Sequence, residues 1–259
     1  MGATMKVIAV VAQKGGTGKT TTAVSILDYL SRQGKRTLAI DLNGQGDLTD
    51  TLGATAETSG AGEVLTGKTV AETAKETNLR GVDILTGAED LALLESKITA
   101  TGRDRAMILK NALRPQHRYY KYVIIDAPGA FDTAFLNALT AADSLIITAR
   151  PDYYSLRGVN RLIDNIQTVK AVNPGLIVDG ILLTQYQGRR NISRETVEKL
   201  QEMESELQTR LFNAKIRDNA KTAEAPKYHQ SVITYAPASI GAADYMKFLN
   251  EYFTGGKNE

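Results

Sequence analysis

Val7-Ile-Ala-Val-Val-Ala-Gln-Lys-Gly-Gly-Thr-Gly-Lys-Thr-Thr-Thr22 is the stretch whose reading decides the fold. Its apolar start reads as a buried strand. A glycine-rich turn follows, and the hydroxyl residues after Lys19 open an amphipathic helix expected over Thr20 to Leu30. Strand, turn and helix N-terminus together make an anion site. Gly15, Gly16 and Gly18, with Thr17 among them, let backbone N–H groups turn inward on a phosphate, and the helix dipole favours the negative charge. In such a site Lys19 sits on the β- and γ-phosphates, the Thr20 hydroxyl is a Mg²⁺ ligand and Thr21 continues the helix start.

Outward from this stretch, strands and helices alternate, which argues for an α/β fold with a doubly wound, mostly parallel sheet flanked by helices. Strands are expected at Thr37–Asp41, Val82–Thr86, Lys121–Asp126, Ser144–Thr148 and Ile177–Thr184. Helices are expected at Glu89–Lys97, Arg103–Leu113 (ended by Pro115), Thr133–Ala141, Tyr154–Lys170, Arg194–Thr209 and Ser239–Phe253. Residues 53–80 read as a surface excursion with short helices. With no internal repeat and no linker, residues 1–259 are read as a single domain. Asp41 and Asp126 each close a buried strand, at the carboxyl end where open α/β sheets place their ligands. Asp126 follows Tyr-Val-Ile-Ile, and a carboxylate so placed holds Mg²⁺ through water beside the phosphates.

Composition narrows the function. The chain has 259 residues, 42% of them apolar and 23% charged, enough for one domain with a large core. The net charge of +2 means that a nucleic-acid surface must be a local patch. Cysteine is absent, which excludes disulfides, thiolate zinc sites and iron–sulfur clusters, and so an iron-protein electron carrier. No leader and no membrane-spanning run are visible, and the chain reads as cytoplasmic. His117 and His229 stand far apart, outside any metal-ligand spacing.

The glycine turn departs from the usual phosphate loop. Gln13 stands six residues before Lys19, where the regular motif has glycine, and a second lysine, Lys14, precedes Gly15-Gly16. Lys-Gly-Gly-x-Gly-Lys-Thr resembles the deviant Walker A motif of the ParA/MinD family. Asp41-Leu-Asn-Gly-Gln-Gly-Asp-Leu-Thr49 resembles that family's first switch, usually Asp-x-Asp-Pro-Gln-Gly-Asn. Asp126-Ala-Pro-Gly129 resembles its Asp-x-Pro-Pro, and Asp152-Tyr-Tyr-Ser-Leu-Arg-Gly158 its Glu-Tyr-Tyr-Ala-Leu-Glu-Gly. Gly180 to Thr184, Arg189, Asn191, Asn219 and Glu224-Ala-Pro226 fit in order. The likeness, nearly chain-long, is to ParA-like partition ATPases of the small Soj-like type without an N-terminal DNA-binding domain.

That resemblance implies a mechanism. ATP joins two subunits face to face as a homodimer, and Lys14 of each reaches the partner's nucleotide. Loss of the γ-phosphate releases the pair. Asn219 and Pro226 belong to the loop expected around the base. A ParB-like centromere-binding protein is the implied partner, and the nucleoid the implied location. The residue thought to position the attacking water is Asp in the family and Asn43 here. An amide can accept a hydrogen bond from water but cannot take a proton. ATP binding is therefore expected to be intact and hydrolysis slow. Gly44 replaces the family's proline and loosens the loop; Gly129-Ala130 stands for its Pro-Ser.

Family dimers hold DNA without sequence preference through Lys and Arg, so binding should fall with salt. The candidates are Arg189, Arg190, Lys215, Arg217, Lys221 and Lys227, of which Arg189 matches a family arginine; Asp218 stands where arginine is frequent. The intervening helix is acidic, with Glu195, Glu198, Glu202, Glu204 and Glu206. Two alternatives stand beside partition. One is a nucleotide-gated binding protein with negligible turnover. The other is a MinD-like positioning ATPase, which needs a lipid-binding basic tail helix. The tail has an apolar stripe (Tyr245, Phe248, Leu249, Tyr252, Phe253), but Asp244, Lys247 and Glu251 do not make a basic face. It reads as a helix packed on the sheet, with no membrane partner.

Overall fold

The computed structural model describes residues 5–55, 58–87, 94, 96, 98, 104–188, 195–201 and 209–255. The chain opens with β1 (Lys6–Val11), the glycine loop and α1 (Lys19–Arg32). β2 (Thr37–Asp41) leads through a short loop into α2 (Asp47–Thr51). The excursion expected over 53–80 holds α3 (Gly60–Thr66), α4 (Val70–Thr73) and the two-residue strand β3 (Lys75–Glu76), before β4 (Val82–Leu85). Then come α5 (Ile108–Leu113), β5 (Tyr122–Asp126), α6 (Thr133–Ala141), β6 (Ser144–Ala149), α7 (Tyr153–Lys170) and β7 (Ile177–Tyr186). The last elements are β8 (Leu211–Arg217), α8 (Ala220–Glu224), α9 (Val232–Tyr235) and α10 (Ile240–Thr254).

The strands form one sheet in the order β3-β4-β2-β5-β1-β6-β7-β8, parallel throughout except for the antiparallel pair of β3 with β4. β1 sits between β5 and β6, where the winding direction reverses. That reversal opens the crevice above the strands' carboxyl ends, and the glycine loop lies in it. The pleat sorts β1 between two cores. Val7, Ala9 and Val11 pack with residues of α3, α5, α6 and α7, and Ile8 and Val10 pack with α1, α9 and α10.

Several boundaries differ from the sequence reading. The helix expected from Arg103 begins at Ile108, and Pro115 lies inside a 3₁₀ turn at Arg114–Arg118. Its fixed φ suits the first turn of a helix, so it starts that turn instead of only ending α5. The expected helix at Glu89–Lys97 lies largely outside the described residues. Of Arg194–Thr209, residues 195–201 are helical and Thr209 is not.

The sequence reading assigns no element to Leu211–Arg217, which is the edge strand β8. Phe212, Ala214 and Ile216 point inward, and the polar residues between them hide the strand from a search for apolar runs. α10 covers this edge. The Glu251 carboxylate accepts from the N–H groups of Asn213 (2.9 Å) and Ala214 (2.8 Å), and Asp244 accepts from that of Arg217 (2.9 Å). The tail's apolar stripe is thereby committed to the core: Tyr245, Phe248 and Leu249 are buried, and Phe248 meets Phe212 edge-on at 5.0 Å.

Candidate functional site

The glycine loop is held from β6 and β7. The Thr184 hydroxyl, near the end of β7, donates to the Thr17 carbonyl at 2.7 Å. Gln185 follows with a left-handed φ of 50° and donates its amide to the Gly16 carbonyl at 2.8 Å. Thr148 of β6 bonds the Thr17 hydroxyl at 3.2 Å. These contacts engage the Gly16 and Thr17 carbonyls, and a glycine turn so held can offer its N–H groups to an anion. Gly18 caps α1 with φ 77°, and a Cβ there would lie 3.3 Å from Thr184, so only glycine fits. Thr148, Thr184 and Gln185 escape the sequence reading as clamps, because they lie more than a hundred residues from the loop they hold.

An open cavity of about 700 Å³ lies above the loop. Gly15, Gly16, Gly18, Lys19, Thr20 and Thr21 form one wall; Asn43, Gly44, Gln45, Asp47 and Gly129 form the others. Lys19 is buried at its base. Most of the residues expected around a triphosphate therefore converge here. Thr17 is buried behind the loop.

The strand-end carboxylates stand side by side, Asp41 of β2 against Asp126 of β5. Their surroundings differ. Asp41 accepts from the Asn43 N–H (3.0 Å), the Thr49 N–H (2.9 Å) and the Thr49 hydroxyl (2.8 Å). It therefore folds the loop between β2 and α2. Gly87 seals the contact, because a Cβ there would lie 2.7 Å from the Asp41 carboxyl carbon. Asp126 accepts from the Thr20 hydroxyl at 2.5 Å, and its Oδ1 is buried with no partner. That orphaned oxygen beside a threonine hydroxyl fits a hydrated Mg²⁺. Of the three expected metal-site residues the geometry thus favours Thr20 and Asp126, with Asp41 acting on the loop.

Burial, and then the neighbouring Asp41 carboxylate, push the Asp126 carboxyl up to about 7. The unfolded chain ionises this group from about pH 4 and the folded chain only near pH 7, so the group makes the ligand-free fold less stable as pH rises between the two. Asp126→Asn is expected to stabilise the ligand-free chain by on the order of 4 kcal/mol at pH 8, with the gain vanishing below about pH 4. Thermal melts across pH measure this. The same substitution should remove the Mg²⁺ dependence of nucleotide binding.

Lys14 pairs with residues at the start of α7. Its ammonium is 3.5 Å from the Asp152 carboxylate and 5.6 Å from the centre of the Tyr154 ring. Asp152 also caps α7 by accepting from the Ser155 N–H at 2.9 Å, and Arg150 approaches the same carboxylate at 3.8 Å. The Lys14 side chain is 41% exposed. A pair so exposed contributes about 0–1 kcal/mol and is readily broken. Tyr153, Tyr154 and Phe131 are exposed aromatics of the segments beginning α7 and following β5.

The Asn43 Oδ1 accepts from the Gln45 N–H at 3.2 Å, closing an Asx turn. Asn219 lines a smaller cavity of about 220 Å³ with Thr184, Ile216 and Tyr245, beside Gly16 and Gly18. Pro226 lines a separate cavity of about 240 Å³ between α1 and α2, so the two residues expected around the base are not brought into one pocket.

Of the cations expected on DNA, two of the four described are held in ion pairs. Arg189 and Arg190 lie outside the described residues. Arg217 is not a free phosphate contact: its Nε and Nη2 donate to Asp244 at 2.9 and 2.6 Å, which fixes the guanidinium to α10. Lys221 pairs with Glu224 at 2.8 Å. Lys215 lies over the Tyr186 ring at 5.4 Å, and Lys227 is exposed.

A family profile described as AAA domain matches residues 5–178. The chain is 33% identical to the sporulation initiation inhibitor protein Soj of Bacillus subtilis, covering 97% of this chain and 99% of that protein. It is 34% identical to the chromosome partitioning protein ParA of Myxococcus xanthus, over 95% of this chain and 87% of that protein. Its fold matches a crystal structure of cobyrinic acid a,c-diamide synthase from Mycobacterium smegmatis with bound ATP analogue and magnesium. The TM-score is 0.78, with 30% identity over 97% of both chains.

Proposed function

The chain belongs to the ParA/Soj family of P-loop ATPases, and from that premise we propose that it is a DNA-partition ATPase whose Mg·ATP form is a homodimer. The dimer holds DNA without sequence preference and answers to a ParB-like, centromere-binding partner on the nucleoid. Lys19 and the loop's N–H groups bind the triphosphate, Thr20 and Asp126 hold the hydrated Mg²⁺, and Lys14 leaves Asp152 for the partner's nucleotide. The observation that carries the reading is the cavity itself, with a clamped phosphate loop on one wall and a switch loop tied to the buried Asp41 carboxylate on the other. Relatives named for chromosome partitioning support the cellular role. No described helix is long and apolar enough to cross a membrane.

A second reading is favoured by Asn43. With no charge, and with its oxygen engaged by Gln45, the loop has a weak hold on an attacking water. A nucleotide-gated binder with negligible turnover has this property. Sedimentation with ATPγS, ADP or no nucleotide, with and without duplex DNA, tests the common core. A dimer is expected only with the triphosphate, and only that dimer should carry DNA, with binding falling steeply as salt rises. An assembly state indifferent to nucleotide would overturn both readings.

A further inference from the structure

Among the residues that line the phosphate cavity, only Asp47 carries a carboxylate. It is the first residue of α2, reached through Gly46, whose φ of 68° turns the chain out of the Asn43 loop. The side chain is exposed, and its carboxylate has no hydrogen-bond or ion-pair partner among the described residues. The two other acids of the site are buried behind it. Asp41 is saturated by Asn43 and Thr49, and Asp126 keeps Oδ1 bare while Thr20 bonds its other oxygen. Thr20 lines the same cavity as Asp47.

A free carboxylate and a threonine hydroxyl on one open cavity, with a donorless carboxylate oxygen buried just behind that hydroxyl, suit one ligand class, a hydrated divalent cation. Mg²⁺ gives up its waters reluctantly, and those waters donate to carboxylates. The first switch of the resembled family carries its acid at the position of Asn43 and an asparagine at the position of Asp47. Here the two residue types are exchanged.

We propose that Asp47 is the residue through which the switch loop grips Mg·ATP, accepting hydrogen bonds from water bound to the Mg²⁺. The inference rests on the Mg·ATP reading above. It means that α2 responds to the metal ion and not to the phosphates alone.

The test is binding of a fluorescent, non-hydrolysable ATP analogue, mant-AMP-PNP, titrated against free Mg²⁺ with an EDTA baseline. Asp47→Asn should raise the half-saturating Mg²⁺ concentration about tenfold, the usual scale for losing a group that holds a metal-bound ligand. In EDTA the variant should bind the analogue as well as the parent chain or more tightly, because a negative charge beside the phosphates is gone. Asp47→Glu should recover part of the Mg²⁺ response and serves as the test if Asp47→Asn does not fold. Asp50→Asn, in the same helix, should leave the response unchanged. An unaltered Mg²⁺ response in Asp47→Asn, or equal weakening with and without Mg²⁺, would overturn the proposal. Failure of the parent chain to bind the analogue under either condition would instead overturn the nucleotide reading, and the two failures are thereby distinct.

Discussion

Asn43→Asp is expected to raise ATP turnover about a hundredfold while leaving ATP affinity within a few-fold of the parent. Asn43 lies in the wall of the phosphate cavity opposite the glycine loop, half-buried, with its Oδ1 held by the Gln45 N–H. The amide offers water a neutral acceptor already engaged elsewhere. A carboxylate has two oxygens: one can keep the Gln45 bond while the other turns to the cavity, and it can take up a proton. A positioned base contributes about 10²–10⁴-fold to proton-transfer chemistry, so a hundredfold is the lower end. Binding should change little, because Lys19, the loop's N–H groups and the Asp126 oxygen are untouched. Single-turnover hydrolysis beside equilibrium analogue binding separates the two effects. Brisk and equal turnover in both chains would show that Asn43 is not the weak point.

Lys14→Ala is expected to weaken triphosphate-dependent dimerisation about a hundredfold, whereas Asp152→Asn should strengthen it several-fold. In the free subunit the Lys14 ammonium rests between Asp152 and Tyr154. In the proposed dimer, its transfer to a partner's triphosphate would exchange a weak, half-exposed pair for a charge contact closed off by the interface, and two such contacts would form per dimer. Losing one side of such a contact costs about 2–5 kcal/mol, hence at least the stated loss. Asn at position 152 removes the competing charge yet still caps α7 through the Ser155 N–H, so the helix keeps its start. The opposite signs exclude a general loss of fold as the cause. Sedimentation equilibrium with ATPγS measures both. Identical dimer constants in all three chains would mean that Lys14 takes no part.

How much of this was legible in the sequence depends on whether the signal is local. β1, the glycine turn and α1 are contiguous, and their roles follow from spacing alone. Asp41 and Asp126 are marked by the apolar runs that precede them, and the sheet sets them side by side as expected of strand-end acids. Their unequal roles are not local. They follow from Thr49 and Gly87 enclosing Asp41, and from Thr20 reaching Asp126 across more than a hundred residues. The same holds for Thr184, Gln185 and Asp152, whose partners are fixed only when β6, β7 and α7 close around the loop. Arg217 reads as a surface cation until α10 brings Asp244 against it. β8 is hidden because its outer face carries Asn213, Lys215 and Arg217, and the apolar alternation between them is short.

The charge pattern of the switch loop has a consequence for the cycle. If Asp47 holds the metal's water and Asn43 holds the attacking water weakly, the ATP state is built to persist once formed. Such a chain stays dimeric until a partner improves the geometry, so a ParB-like activator should raise the parent's turnover by a larger factor than that of Asn43→Asp. Turnover measured with and without the partner, in both chains, gives that ratio.

The most direct measurement is a crystal structure of the parent chain with Mg²⁺ and ATPγS. The account predicts two subunits face to face, with each Lys14 ammonium withdrawn from Asp152 and within hydrogen-bonding distance of the triphosphate held by the partner. A nucleotide-loaded structure in which Lys14 remains on Asp152, or bonds the nucleotide of its own subunit, would contradict it.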